Sequence, residues 1–210
     1  MERLAAIVLA AGLSRRFEHG RKLAHPVHGR PLLAHALAAA AAATPASLVV
    51  VTAPDDVGSQ MLAREFGATI AVNPEPARGL GRTIACGVAA LPPGIAGAFV
   101  ALGDMPCIAP ATYRALAAAF DGEQAIVVPL HDARWGHPVL FGAAHFAALA
   151  ALDGDRGARP VVVAAGAALS TLEVEDPGVL LDVDTLADAA FAERVLARRN
   201  LPTGVGGTFS

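Results

Sequence analysis

Arg15, Arg16, Arg21 and Lys22 place four cations within eight residues, just after the small-residue turn Ala10-Ala11-Gly12. The turn follows an apolar run ending at Leu9, so a ligand can approach the backbone closely, and Ser14 adds a hydroxyl donor. These residue types suit a polyphosphate, because guanidinium, ammonium and backbone N–H groups all donate to phosphate oxygens. Lys22 and Arg16 are the leading candidates for the grip: charge that builds on a departing pyrophosphate is stabilised by cations already in place. An isolated lysine would be ordinary surface charge, and Arg15 and Arg21 are read that way. Leu9, Ala10, Ala11, Gly12 and Ser14 would together line the donor side of such a site.

Carboxylates form the second group. Asp104, in Gly103-Asp104-Met105-Pro106, comes directly after the apolar run Phe99 to Leu102, where a side chain points out of a sheet's carboxyl edge. Magnesium is commonly held by one or two carboxylates together with substrate phosphates, so Asp104 is a candidate metal ligand; the bland reading is a turn or helix cap. Asp182 and Asp184 follow Val179 to Leu181, and strand alternation would put both on one face, where either can complete the metal shell. Against this, Asp184 or Thr185 could simply cap the helix that follows.

Further candidates lie between these groups. Gly79-Leu80-Gly81-Arg82-Thr83 precedes a helical segment, so Gly79, Gly81 and Thr83 could meet a base or ribose at a helix amino terminus. Asn73, before Pro74, is a further base-pocket candidate, with a turn as the alternative. His137 in Gly136-His137-Pro138, with Trp135 beside it, and Asp155, Arg156 and Arg159 in a glycine-containing loop could bind a second, phosphorylated substrate. The alternative there is a turn with a surface arginine network.

The elements that must position these groups follow from hydrophobic runs and breakers. Strands are expected at Leu4 to Leu9, Leu48 to Thr52, Thr69 to Val72, Ala98 to Leu102 and Ala125 to Pro129. Helices are expected at Pro31 to Ala43, Asp55 to Phe66, Gly81 to Ala90 and Pro110 to Phe120. This alternation predicts a largely parallel sheet covered on both faces. Later, Val127 to Leu130 and Pro138 to Phe141 suggest a hairpin or antiparallel excursion. A helix over Ala143 to Leu152, a short segment over Arg159 to Ala165, strands over Ser170 to Val174 and Val179 to Val183, and a helix over Thr185 to Arg198 complete the chain.

With 210 residues and 54% hydrophobic content, one domain over residues 1–200 is expected, with 201–210 as a flexible tail. A formal net charge of -3 gives no basic field and argues against nucleic acid as a partner. Cys86 and Cys107 suggest neither a disulfide framework nor a zinc site. Residues 32 to 53 are interrupted by polar residues and proline, so no membrane span is expected, and the opening lacks a secretory pattern; a cytoplasmic enzyme is the expectation.

The ordered motifs resemble the nucleotidyltransferases that act on the molybdenum cofactor. The resemblance runs through Leu9 to Gly12, Ser14, Arg16, Lys22-Leu23, Gly29-Arg30-Pro31-Leu32-Leu33, Asn73-Pro74, Gly79-Leu80-Gly81 and Gly103-Asp104-Met105-Pro106. It continues through Gly136-His137-Pro138-Val139-Leu140-Phe141, Gly154-Asp155-Arg156-Gly157-Ala158-Arg159 and Asp182-Val183-Asp184-Thr185. The Ala-Ala-Gly turn and the last motifs look most like the cytidylyltransferase branch, while Glu18 stands where many relatives carry glycine. The resemblance implies a three-layer α/β/α sandwich with a mostly parallel sheet, similar to nucleotide-diphospho-sugar transferases. It also implies CMP transfer from CTP to the terminal phosphate of molybdopterin or molybdenum cofactor, with pyrophosphate released. Mg2+, with Mn2+ as a substitute, would be the cofactor, and a molybdoenzyme or its maturation chaperone a further partner. The alternatives are a related transferase using another nucleotide or phosphorylated acceptor, and a non-catalytic nucleotide-binding module. A Rossmann oxidoreductase is disfavoured because Gly12 starts no Gly-x-Gly-x-x-Gly pattern, and an aspartyl-phosphate phosphatase because Asp182-Val183-Asp184-Thr185 lies too near the end.

Overall fold

The computed structural model describes residues 3–12, 17, 21–43 and 46–200. Its first strand, β1 (Leu4–Ala10), contains no polar side chain and is almost wholly buried, as a strand covered on both faces should be. The small hairpin β2 (Pro26–Val27) and β3 (Arg30–Pro31) leads into helix α1 (Leu32–Ala41). Then come β4 (Ser47–Thr52), α2 (Val57–Glu65), β5 (Thr69–Val72), α3 (Leu80–Ala89), β6 (Gly97–Leu102) and α4 (Pro110–Ala118). The later part contributes β7 (Ile126–His131), β8 (Arg134–Trp135), β9 (Val139–Gly142), α5 (Phe146–Ala150), α6 (Arg159–Ala164), β10 (Leu169–Glu173) and α7 (Leu186–Asn200).

The main sheet runs in the order β10-β7-β9-β6-β1-β4-β5, with β8 beside β7. Pairings β1 with β4, β1 with β6, β4 with β5, and β7 with β10 are parallel, whereas β9 is antiparallel to both β6 and β7. Alternation along β1 sends Ala5, Ile7 and Leu9 to one face, where Ile84 and Val88 of α3, Leu149 of α5 and Val162 of α6 cover them. Ala6, Val8 and Ala10 face the other way, against Leu33 and Leu37 of α1, Ala63 of α2 and Leu116 of α4. The result is a three-layer α/β/α sandwich with a mostly parallel sheet, as expected. No helix among the described residues is long and apolar enough to cross a membrane.

Two sequence expectations need correction. Val179 to Val183 is not a strand: Pro177–Leu180 forms a 3-10 turn, and residues 181–184 run on as an extended strap outside any ladder. The reason is that its backbone bonds go to separate loops. Val179 O accepts from His137 N at 2.9 Å, and Val183 N donates to Asp104 O at 3.0 Å. Likewise, Ala143 to Leu152 is split into a 3-10 turn, Ala143–His145, and the short helix α5. The expected antiparallel excursion is present as β7, β8 and β9, turning through Asp132 and Ala133 at φ 48 and 58. The expected tail, 201–210, lies outside the described residues.

The strap is pinned at its start by Asp176, a residue only 5% exposed. Its carboxylate accepts from Ala109 N at 2.8 Å, Thr112 Oγ1 at 2.6 Å and Gly178 N at 3.0 Å, and also pairs with Arg199. Thus one buried charge joins the loop before α4, the strap and the end of α7. Removing it leaves several donors without an acceptor. Asp176→Ala is expected to lower folding stability by about 3 to 5 kcal/mol, the usual cost of breaking a buried ion pair. Urea unfolding measures it; a loss under about 1 kcal/mol would show that the strap is held by something else.

Candidate active site

Ligands in open α/β sheets bind outside the carboxyl ends of the strands, where chain connections diverge to either side. Here β1 is flanked by β4 on one side and β6 on the other, and a cleft of about 430 Å³ opens above their carboxyl ends. Leu9, Ala11 and Gly12 reach it from β1, Leu102 and Asp104 from β6, Gly79, Leu80 and Thr83 from the start of α3. Lys22, Asp155 and Asp184 complete its polar lining. Ala10 is buried in the sheet behind them. Ser14 and Arg16, together with Arg15 and Glu18, lie outside the described residues.

At the polar end, Lys22 Nζ donates to Asp104 Oδ2 at 2.6 Å and to Asp184 Oδ1 at 2.9 Å. Burial by itself would lower the lysine's pKa, but the two carboxylates outweigh it, Asp104 more than Asp184, and the net displacement is upward. A lysine whose folded pKa is raised stays charged at neutral pH, and its ion pairs are lost only as pH rises through that raised value. Lys22 is placed by a 3-10 turn, Lys22–Ala24. The turn's entrance is tied down by Arg21, which bonds Asp55 O at 2.8 Å and pairs with Asp56 at 2.7 Å. Arg21, read from sequence as solvent-facing, is exposed as expected and serves in addition as an anchor. Asp184 is available to Lys22 because the helix cap falls to its neighbour: Asp188 Oδ2 accepts from Thr185 N and Oγ1, both at 2.8 Å, and Thr185 Oγ1 accepts from Asp188 N at 3.2 Å. Asp182 is exposed and does not take part in the Lys22 cluster.

Asp104 Oδ1 is buried and has no hydrogen-bond partner among the described residues. An orphaned carboxylate oxygen is costly, and it is the donor a hard divalent cation would use. No group of three or more His, Cys, Asp or Glu side chains among the described residues gathers as a metal cage. The donor set therefore fits an ion held by Asp104 and Asp184 that takes its other ligands from substrate phosphate and water, the usual arrangement for magnesium.

The loop before α3 is built by close backbone approach. Gly79 has φ 99 and packs on Gly154 and Asp155; a Cβ on Gly81 would stand 2.8 Å from Asp153 O. Gly81 N donates to Gly154 O at 2.8 Å, and Arg78 pairs with Asp153 at 2.6 Å, so the 153–157 loop is docked onto the start of α3. Asn73 is fully buried behind this loop: its Nδ2 donates to Thr83 Oγ1 at 3.1 Å and its Oδ1 accepts from Glu75 N at 2.9 Å. It holds the loop rather than lining the cleft, whereas Thr83 does line it.

A smaller cavity of about 210 Å³ adjoins the cleft, with Leu80 in the wall of both. It gathers Trp135, His137, Arg156 and Arg159, while Asp155 faces the larger space. The sequence reading grouped these side chains, but it missed Leu80 as the partition, Asp153 as the partner of Arg78, and Asp176 as the strap's pin. Asp176-Pro177-Gly178 was a turn signal that could have flagged the last of these.

The family described as MobA-like NTP transferase domain matches residues 6–169, and the chain belongs to it. Rv0371c from Mycobacterium tuberculosis has a similar structure, at 29% identity and a TM-score of 0.76, with 92% of this chain and 98% of that one covered. A structure of Rv0371c in complex with manganese is similar at 26% identity and a TM-score of 0.76, over 91% of this chain and 98% of that one. A nucleotidyl transferase from Methanothermobacter shares the fold, at 23% identity and a TM-score of 0.83 over 95% of this chain and 100% of that one. The bifunctional protein GlmU of Kineococcus radiotolerans is 39% identical over 118 residues, 55% of this chain. Those residues are 24% of that protein, so the chain spans about a quarter of the length of the curated relatives it matches.

A divalent cation held by Asp104 and Asp184 would compete with Lys22 for the same carboxylates. Lys22→Met is expected to tighten Mn2+ binding to the nucleotide-free protein by roughly fivefold, the equivalent of about 1 kcal/mol of displaced ion pair. Electron paramagnetic resonance of free Mn2+ measures it. Equal affinities in the two proteins would show that the ammonium does not occupy the cation's place.

Proposed function

We propose that this member of the MobA-like NTP transferase family moves CMP from CTP to the terminal phosphate of molybdopterin or molybdenum cofactor and releases pyrophosphate. The observation that carries the reading is the Lys22, Asp104 and Asp184 cluster at the carboxyl edge of β1 and β6, which joins a phosphate-gripping cation to a carboxylate pair. The similarity to a protein crystallised with manganese supports a divalent cation there. When bound, such an ion would neutralise phosphate oxygens and orient the donor for in-line attack.

The acceptor phosphate is already ionised near neutral pH, so no side chain has to remove a proton from it. Positioning and charge then supply the catalysis. Lys22 turns from the carboxylates toward the leaving pyrophosphate as the donor enters, with Arg16 as a second cation on the basis of the motif. Asp104 and Asp184 would hold the cation. Ala11 and Gly12 border the donor, and Thr83 offers a hydroxyl at the start of α3. His137, Arg156 and Arg159 line the smaller cavity assigned to the acceptor, and Asp155 lines the larger cleft beside it.

Two experiments test this reading. Asp104→Asn preserves size and leaves the backbone bond from Val183 N to Asp104 O in place, so the protein is expected to stay folded. Its pyrophosphate release should fall by roughly 100-fold or more, the scale of losing one preorganised electrostatic group. A folded variant with near-normal turnover would remove Asp104 from the mechanism. For the nucleotide, Ala11 is 2% exposed at the cleft wall, where guanylyl-transferring relatives of the resembled family tend to carry a second glycine. Its methyl narrows the space for a purine, a difference worth about 1 to 3 kcal/mol. Consequently kcat/KM should favour CTP over GTP with the same acceptor; equal values, or preference for GTP, would overturn the cytidylyl assignment and leave nucleotidyl transfer standing.

A further inference from the structure

The 153–157 loop is docked through the residues around Asp155. Arg78 forks onto Asp153, Nε to Oδ1 at 3.2 Å and Nη2 to Oδ2 at 2.6 Å. Gly154 O accepts from Gly81 N at 2.8 Å. Gly157, at φ 55, lies so close to Leu80 that a Cβ on it would stand 2.8 Å from Leu80 Cδ2. These contacts deliver the Asp155 side chain to Gly79, where a Cβ would collide with Oδ1 and with the Gly154 carbonyl. A side chain at position 79 would therefore push the carboxylate away, and φ 99 there already favours glycine. Asp155 itself is exposed at the cleft and takes no hydrogen-bond or ion-pair partner among the described residues.

The charges that line the larger cleft fall into two groups. Lys22, Asp104 and Asp184 are joined to one another, and Asp155 is bonded to none of them. On the transferase reading the first group takes the phosphates and their ion. An ionised carboxylate outside it repels phosphate and can only accept hydrogen bonds, so its ligand is a donor on the uncharged part of the nucleotide. A cytidine offers two kinds, the amino group of the base and the two hydroxyls of the ribose. Exposure decides between them. Water at an open rim serves a single amino donor equally well, whereas adjacent hydroxyls can give one hydrogen bond to each carboxylate oxygen, and that paired geometry adds specificity. Acidic side chains hold the ribose 2′-hydroxyl in dinucleotide-binding α/β folds by the same chemistry.

We propose that Asp155 binds the ribose hydroxyls of the nucleotide donor and makes the site select a ribonucleoside over a 2′-deoxyribonucleoside triphosphate. The inference rests on the transferase reading and deepens it, since that reading supplies the triphosphate whose sugar Asp155 reads. It also moves Asp155 from the phosphorylated acceptor, where the sequence grouped it with Arg156 and Arg159, to the donor. Asp155 is then a binding and specificity residue, and it touches no reacting atom. Arg78 and Asp153 act through it, as the clasp that fixes the loop carrying it.

The test is calorimetric titration of the full chain with CTP and 2′-deoxy-CTP, in the presence of Mg2+ and without acceptor, so that binding is read without turnover. The wild-type protein is expected to bind CTP roughly tenfold more tightly, the scale of one hydrogen bond to a charged group. Asp155→Ala should bring the two affinities to within about twofold, and Asp155→Asn, which keeps one acceptor oxygen, should hold an intermediate ratio. Both ligands carry the same triphosphate, so any long-range effect of the lost charge cancels in the ratio. GTP with 2′-deoxy-GTP forms a second pair, and UTP separates sugar from base. Equal affinities within both pairs for the wild-type protein, or an undiminished ratio in folded Asp155→Ala, would overturn the proposal, as would a change confined to the ratio of CTP to UTP. The same dependence on Asp155 seen with the guanosine pair alone would sink the cytidylyl assignment and leave this one standing. A ribose preference that Asp155→Ala abolishes, in a protein that releases no pyrophosphate from CTP and acceptor, would likewise sink the transferase reading and not this one.

Discussion

The ammonium of Lys22 is the meeting point of three distant stretches of chain. Its partners lie 82 and 162 residues away, at the end of β6 and on the strap before α7. Two carboxylates side by side repel each other, and a low-dielectric surrounding makes that repulsion larger. A cation between them is therefore a condition for the strap to close over the sheet edge. On the proposed reading, the fold holds an ammonium in the place where a divalent cation would sit, and the same side chains that stabilise the resting protein would receive that ion.

Such an arrangement depends on rigid delivery. The sheet fixes Asp104, because β6 is hydrogen-bonded on both edges, to β1 and to β9. The strap has no ladder to fix it, and it relies on Asp176 at one end, the Val183 to Asp104 backbone bond in the middle and the Thr185–Asp188 cap at the other. These three attachments are polar and directional, and they set the orientation of a strap whose Val183 is also buried in an apolar cluster with Phe17, Val27 and Leu32. A purely apolar contact would hold the strap near the sheet without setting which of Asp182 and Asp184 turns inward.

Much of this was legible in the chain itself. Five apolar runs became strands with ends moved by at most two residues, since a parallel strand buried on both faces must be continuously apolar. Asp104, Lys22 and the pair Asp182 and Asp184 could be named because cations behind a small-residue turn and carboxylates after apolar runs have few bland explanations in combination; which of the pair turns inward could not. The strap was misread as a strand because Val179 to Val183 has the composition of one; what it lacks is a partner, and pairing is a non-local property. Asn73 looked like a base contact for a similar reason. Its amide could serve either a ligand or the backbone, and only the positions of Thr83 and Glu75 decide that it serves the loop.

The order in which the cluster's members occur along the chain adds a constraint on its making. Lys22 and Asp104 are synthesised well before Asp184, and amino-terminal structure generally forms first as a chain emerges. While only the first two are present, their charges cancel, and the nascent sheet edge offers a metal ion nothing to neutralise. Arrival of the strap adds the surplus negative charge. On the proposed reading, affinity for a cation would thus wait for the strap to be made, and the growing polypeptide would be spared metal capture at a half-built edge.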